Sequence, residues 1–201
     1  MPYRTSPPLA WWLGARREAI DALRAVHAAV GPSGGVGRPL AQAYVIRVVA
    51  EFQAFARDLH DLGAELLVTL ADLPPRPRYL LTNAATANRL LDRGNADLRC
   101  LVHDFGRIGI DALGRQLVSA NPRWAGGRDR RGDRALYGDL LELRNCLAHG
   151  NERQLERLRA RGVEDTIVWA RARLPALNRL ARTLDRILWE TLVEIYRKEP
   201  W

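Results

Sequence analysis

The chain has 201 residues, 47% hydrophobic and 27% charged, with a net charge of +8. That composition predicts one compact, soluble domain over residues 1–201, and no run approaches the ~20 apolar residues of a membrane span or forms a signal-peptide core, so a membrane protein is excluded and a cytoplasmic one expected. The positive balance favours a polyanionic partner such as nucleic acid, although only one of the 31 cations is a lysine, Lys198, and GC-rich coding also enriches arginine.

Residues 9–30 carry a helical pattern, closed by the loop Gly31-Pro32-Ser33-Gly34-Gly35-Val36-Gly37. A long helix follows to about Leu70, with Pro39 in its first turn and a seam of Val45, Val48, Phe52, Phe55, Leu59, Leu62 and Leu66. Pro74-Pro75-Arg76-Pro77 ends it, and two or three shorter helices are expected between Tyr79 and Val118, broken near Gly94 and at Gly106 to Gly109. The glycine-rich loop from Asn121 to Gly132 carries Arg123, Trp124, Arg128, Arg130 and Arg131, and Asp133 is placed to cap the helix after it. A short helix then spans Glu152 to Arg161 with Gly162 as its stop. A last long one spans Thr166 to Arg197 with Leu177, Leu180, Leu184, Ile187, Thr191 and Ile195 on its seam, kinked or interrupted by Pro175. No period-two strand, internal repeat or phosphate-binding glycine loop is present. The class is all-α, most simply an antiparallel helical bundle with extra short helices. Cys100 and Cys146 match neither a disulfide framework nor a zinc spacing, so no metal and no cofactor are expected.

Chemistry concentrates in Arg144-Asn145-Cys146-Leu147-Ala148-His149-Gly150. An arginine followed five residues later by a histidine is weak alone, since thirty arginines and four histidines give about 0.6 such pairs by composition. Its setting adds weight, because Asn145 and Gly150 flank the pair and Leu136, Leu140, Leu143 and Leu147 run through the segment at helical spacing. The motif thus falls at a helix C-terminus. On an ideal helix Asn145 and His149 share a face, while Arg144 and His149 lie about 140° apart. Either the helix frays near Gly150 and the two converge, or a second copy brings one subunit's arginine to the other's histidine across a two-fold axis.

This Arg-Asn-x-x-x-His-Gly segment resembles the signature of the HEPN superfamily of helical ribonucleases and RNA-binding domains. Ala50-Glu51-Phe52 followed by Leu59, and the stretch from Asn95-Ala96-Asp97 to Gly109-Ile110-Asp111, resemble its RiboL-PSP-HEPN branch, so the likeness covers about residues 10–196. The resemblance implies a metal-independent endoribonuclease, a toxin or antiviral defence effector, working as a homodimer with a composite site. Arg144, Asn145 and His149 would be its catalytic residues, leaving a 2′,3′-cyclic phosphate and a 5′-hydroxyl. It implies an RNA substrate and a cognate antitoxin or defence-system partner. Some family toxins carry a tyrosine two residues after the motif histidine, a target for nucleotide transfer; here that position is Asn151, so silencing by that route is not implied.

Glu51 resembles an acidic residue that some relatives place near the motif, where it would orient Arg144; its other reading is a solvated partner of Arg47. The arginines from Arg123 to Arg131 offer contacts to an RNA backbone, and Trp124 a face for a base. His27, His60 and His103 read as surface or satisfied packing residues, and Trp11, Trp12, Trp169 and Trp189 as packing or interface aromatics. Two other functions stay open: a non-cleaving HEPN domain that binds RNA or nucleotide as a sensor or accessory subunit, and a helical interaction module in which Arg144 pairs with a carboxylate and His149 caps a helix end.

Overall fold

The computed structural model describes residues 2–31, 35–127 and 131–201. The central part of the expected loop after residue 30, and Arg128 and Arg130 of the arginine loop, lie outside the described residues. Every regular element among those described is helical, as the periodicity predicts. In order these are α1 (Pro7–Leu13), α2 (Ala15–Val30), α3 (Gly37–Leu70), α4 (Pro75–Thr86), α5 (Leu90–Arg93), α6 (Leu98–Gly106), α7 (Leu113–Ala120), α8 (Asp133–His149), α9 (Glu152–Ala160), α10 (Ile167–Arg171) and α11 (Leu174–Tyr196). No described helix is long and apolar enough to cross a membrane.

The chain divides into two compact units. One comprises Met1–Ala10, Gln53–Pro122 and Leu180–Trp201; the other comprises Trp11–Phe52 and Arg123–Arg179.

Several element boundaries differ from the sequence reading, each for a local reason. The 9–30 pattern is two helices, because Gly14 leaves the helical region between them. The prolines after α3 do more than stop it: Pro75 and Pro77 open α4, where their missing N–H groups need no intrahelical acceptor. The region 75–120 therefore holds four short helices. The run expected from Thr166 breaks into α10 and α11, and Pro175 takes the second position of α11. On α3, Val45, Val48, Phe52, Phe55 and Leu59 are buried as the seam requires, while Leu62 and Leu66 are only half-buried and Ala64 and Val68 take the buried places. On α11, Leu177, Leu180, Leu184 and Ile187 are buried, but Leu188 and Leu192 replace Thr191 and Ile195 on the inner face.

In the first unit, buried polar groups are satisfied by residues far apart in sequence. Asp185 is fully buried and accepts bonds from the Tyr3 hydroxyl at 2.5 Å, from the Ser6 hydroxyl, and from the Ser6 amide at 3.3 Å. Ser6 Oγ also accepts from Leu9 N at 3.3 Å, which caps the start of α1. His60 is fully buried, with Nε2 2.9 Å from the Asp104 carbonyl and Nδ1 3.2 Å from Arg89 Nη1. The carbonyl requires Nε2 to carry the proton, and Nδ1 then accepts from the guanidinium. Arg89 also pairs with Asp61 and, at 3.2 Å, with Asp92. The Asp104 carboxylate accepts from the amides of Leu90 and Leu91 at 3.1 and 2.8 Å and from His103 at 2.8 Å.

The second unit is centred on an aromatic chain. Trp12 meets Phe52 edge to face at 5.5 Å between ring centroids, Phe52 meets Tyr137 at 5.2 Å, and Trp12 Nε1 donates to Asn178 Oδ1 at 3.0 Å. Trp169 in the same unit donates Nε1 to the Gly162 carbonyl at 3.0 Å, with Arg173 over its ring. Of the four tryptophans read as packing residues, Trp12, Trp169 and Trp189 are buried and Trp11 is exposed.

Burial holds the pKa of His60 below its ordinary value, with the adjacent Arg89 acting in the same direction. The stability this contributes is complete above the unfolded value of about 6.5 and is lost as pH falls through the lowered folded value. Between about pH 7.5 and about pH 5.5 the melting temperature should therefore fall, and the fall should be much shallower in His60→Gln. Parallel profiles for the two proteins, measured by scanning calorimetry, would exclude His60 as the titrating group.

Candidate functional site

Helix α8 presents the motif, and its first turn is fixed before its last. The N-cap is Gly132, and Asp133 occupies the first helical position instead of capping. Asp133 is buried and binds Arg179 through both oxygens, at 2.7 and 2.8 Å. The amides of Asp133 and Arg134 donate to the carbonyls of Arg123 and Trp124 at 2.8 and 3.2 Å, satisfying two of the donors that a helix start leaves open. These bonds bring two backbone segments so close that a Cβ at position 132 would stand 2.4 Å from Gly126 N and 2.5 Å from Trp124 O. Only glycine fits there.

The arginine loop differs from the expected RNA-binding surface in two ways. Trp124 is 2% exposed, so its ring packs inside and offers no face to a base. Arg131 lies 2.5 Å from the buried Asp139, which Arg161 also holds at 2.9 Å; its charge is engaged within the fold. Arg123 is exposed.

Further along α8, Tyr137, Asp139, Leu140, Leu141, Leu143 and Cys146 are buried and Leu136 and Leu147 half-buried, a wider inner face than the expected leucine stripe. Arg144 falls within this arc one turn beyond Leu140 and is half-buried. Its Nη1 donates to Asn145 Oδ1 at 3.2 Å, its Nε is buried without a hydrogen-bond partner, and among the described residues it forms no ion pair. His149 is exposed at the last helical position.

The helix does not fray. Gly150 adopts the left-handed conformation with φ 62°, and the amides of Gly150 and Asn151 both donate to the Cys146 carbonyl. Asn151 then caps α9, its Oδ1 accepting from Gln154 N at 3.1 Å. With α8 regular to His149, Arg144 and His149 of one chain point about 140° apart, and the guanidinium turns to Asn145.

Glu51 does not take the role expected of it beside Arg144. It is buried and shared between Arg16 at 2.7 Å and Arg47 at 2.5 Å. Two nearby guanidiniums satisfy it, one of them the partner one turn earlier. Burial raises the pKa of the Cys146 thiol within the motif, which keeps it protonated and unreactive. Among the described residues no group of three or more His, Cys, Asp or Glu side chains is placed to hold a metal ion.

Sequence reasoning missed the Asp139 clamp and the His60 to Arg89 network. Their partners are distant in sequence and no spacing announces them.

No family model, curated protein or solved structure matches the chain.

Arg144 carries a charge that no described carboxylate compensates, so removing it should cost the fold little. Arg144→Met should keep the melting temperature of the parent or exceed it, whereas Asp139→Ala, which strips Arg131 and Arg161 of their shared partner, should lower it. A clear loss of stability in Arg144→Met would mean that the guanidinium holds the helix in place.

Proposed function

We propose that the chain is a metal-independent endoribonuclease of HEPN type, acting as a homodimer and serving as a toxin or defence effector under the control of a cognate partner. The observation that carries this reading is the half-buried Arg144 cation, bonded to Asn145 and without a described counter-charge, five residues before the exposed His149 at an ordered helix end. A phosphate supplies the charge that Arg144 lacks. Arginine suits the task because it stays protonated and presents a planar fork of donors to phosphoryl oxygens.

The chemistry follows from these groups. The 2′-hydroxyl of RNA attacks the adjacent phosphorus, the P–O5′ bond breaks, and a 2′,3′-cyclic phosphate and a 5′-hydroxyl result. His149 takes the 2′ proton or delivers one to the leaving oxygen. Arg144 stabilises the charge growing on the phosphoryl oxygens, and Asn145 holds the guanidinium in place. Because the two side chains of one helix diverge, the reading pairs Arg144 of one protomer with His149 of the other.

That divergence also favours a second reading, a non-cleaving domain that binds RNA or nucleotide through Arg144 and Asn145 alone. An interaction module with Arg144 in a carboxylate pair has less support, since no described carboxylate pairs with it.

Incubation with labelled RNA and matched DNA in excess EDTA separates these readings. Cleavage of RNA alone, leaving cyclic phosphate ends and lost in His149→Ala, is the expected result; Arg144→Ala should lower turnover by about 10²–10³-fold while loosening RNA binding far less. Tight RNA binding without cleavage would replace the nuclease with the binding domain.

A composite site makes a further prediction. Arg144→Ala and His149→Ala, each inactive alone, should regain activity when mixed and allowed to exchange subunits, because one site of the mixed dimer has both groups. No recovery in a mixture shown to contain mixed dimers would place both groups in one chain.

A further inference from the structure

The second unit contains a cleft of about 860 Å³, within the ~300–1,000 Å³ typical of ligand sites. It lies between the C-terminal part of α2, the start of α3 and α10, and includes none of Arg144, Asn145 and His149. Its apolar lining includes Gly37, Ala41, Ile167 and Ala172. Val168, 81% exposed, adds uncovered apolar surface at the lip.

Its charged lining is one-sided. Arg24, Arg38 and Arg171 border the cleft with His27, and among the described lining residues the one carboxylate is Asp165. Asp165 is already engaged by Arg159 at 2.9 Å and by Arg38 and Gln42 at 3.2 Å. Arg24 shares Asp21 with Arg17. Arg171 is exposed and forms no ion pair among the described residues. Tyr44, one turn along α3 from Ala41, is fully buried, and its hydroxyl has no hydrogen-bond partner among the described residues. Apolar lining and the Arg171 guanidinium, unpaired among the described residues, coincide at the cleft.

We propose that this cleft binds a small organic anion: an aromatic or aliphatic body seated on Ala41, Ile167 and Ala172, with a carboxylate, phosphate or sulfonate head held by Arg171 and Arg24. The apolar body matches the apolar lining, and the head meets the cationic charge that Asp165, bound by Arg159, Arg38 and Gln42, leaves at Arg171. The site stands independently of the ribonuclease reading.

The test uses two fluorescent probes of similar shape, 1-anilinonaphthalene-8-sulfonate, which is anionic, and N-phenyl-1-naphthylamine, which is neutral. Titrated into the full chain, the sulfonate should bind at one saturable site. Arg171→Ala should weaken it by about tenfold or more, the effect of losing one charge-assisted contact, while leaving the neutral probe within about twofold. Ala172→Trp, which fills the cleft from an exposed position, should abolish binding of both. Both substituted residues are exposed, so each variant should keep the parent's circular dichroism and melting temperature. Sulfonate binding unchanged in both variants, or absent from the parent, overturns the site. Equal binding of the two probes, insensitive to Arg171, overturns its preference for anions.

Discussion

Asp133 and Asp139 are buried carboxylates on α8, and arginines from outside the helix hold both of them. Arg179 grips the first through two bonds, and Arg131 and Arg161 take the second from two sides. A buried carboxylate is tolerable only when its charge is met at close range, so these clamps oblige the loop before α8, the end of α9 and the start of α11 to converge on one helix. Glu142 extends the arrangement, accepting from Arg161 at 3.1 Å and from Gln154. With its first two-thirds fixed in this way, α8 reaches its C-terminus as a regular helix and delivers Arg144, Asn145 and His149 in a defined order around its axis.

The same pairs change what the basic composition means. A charge of +8 suggested a polyanion, but much of the arginine is turned inward or along the surface to acidic partners: Arg16 and Arg47 to Glu51, Arg89 to Asp61 and Asp92, and Arg159 and Arg38 to Asp165. Arginine suits this work better than lysine, since one planar fork can bridge two carboxylates or grip both oxygens of one. The near absence of lysine thus has a structural use besides any coding bias. Arg144 and Arg171 stand outside these pairs, as do other arginines such as Arg107 and Arg173, which turn to backbone carbonyls.

The helical class and the stops at Gly150 and Gly162 were legible because each rests on signals within a few residues: apolar spacing and a glycine suited to positive φ. The division at Gly14 and the four helices between residues 75 and 120 were less so, since short helices depend on what packs against them more than on their own propensity. The contacts of individual side chains were the least legible. Trp124 reads as a loop aromatic in a glycine-rich, arginine-rich stretch, yet it is buried, and Glu51 reads as either a solvated or a positioning carboxylate, yet it is buried between two arginines. Both outcomes are set by tertiary partners. The motif residues lie at the helix end where their spacing placed them.

Asn151 is bound to two helices at once. Its amide helps to close α8 on the Cys146 carbonyl and its side chain opens α9 on the Gln154 amide, so one residue sets the angle at which the chain leaves His149. A tyrosine at that position would bring a modifiable hydroxyl but no short side-chain oxygen for the α9 amide, at a cost of about 1 kcal/mol for the lost cap. This junction therefore trades a chemical switch for rigidity: the residue best placed to be marked beside His149 is already committed to the architecture.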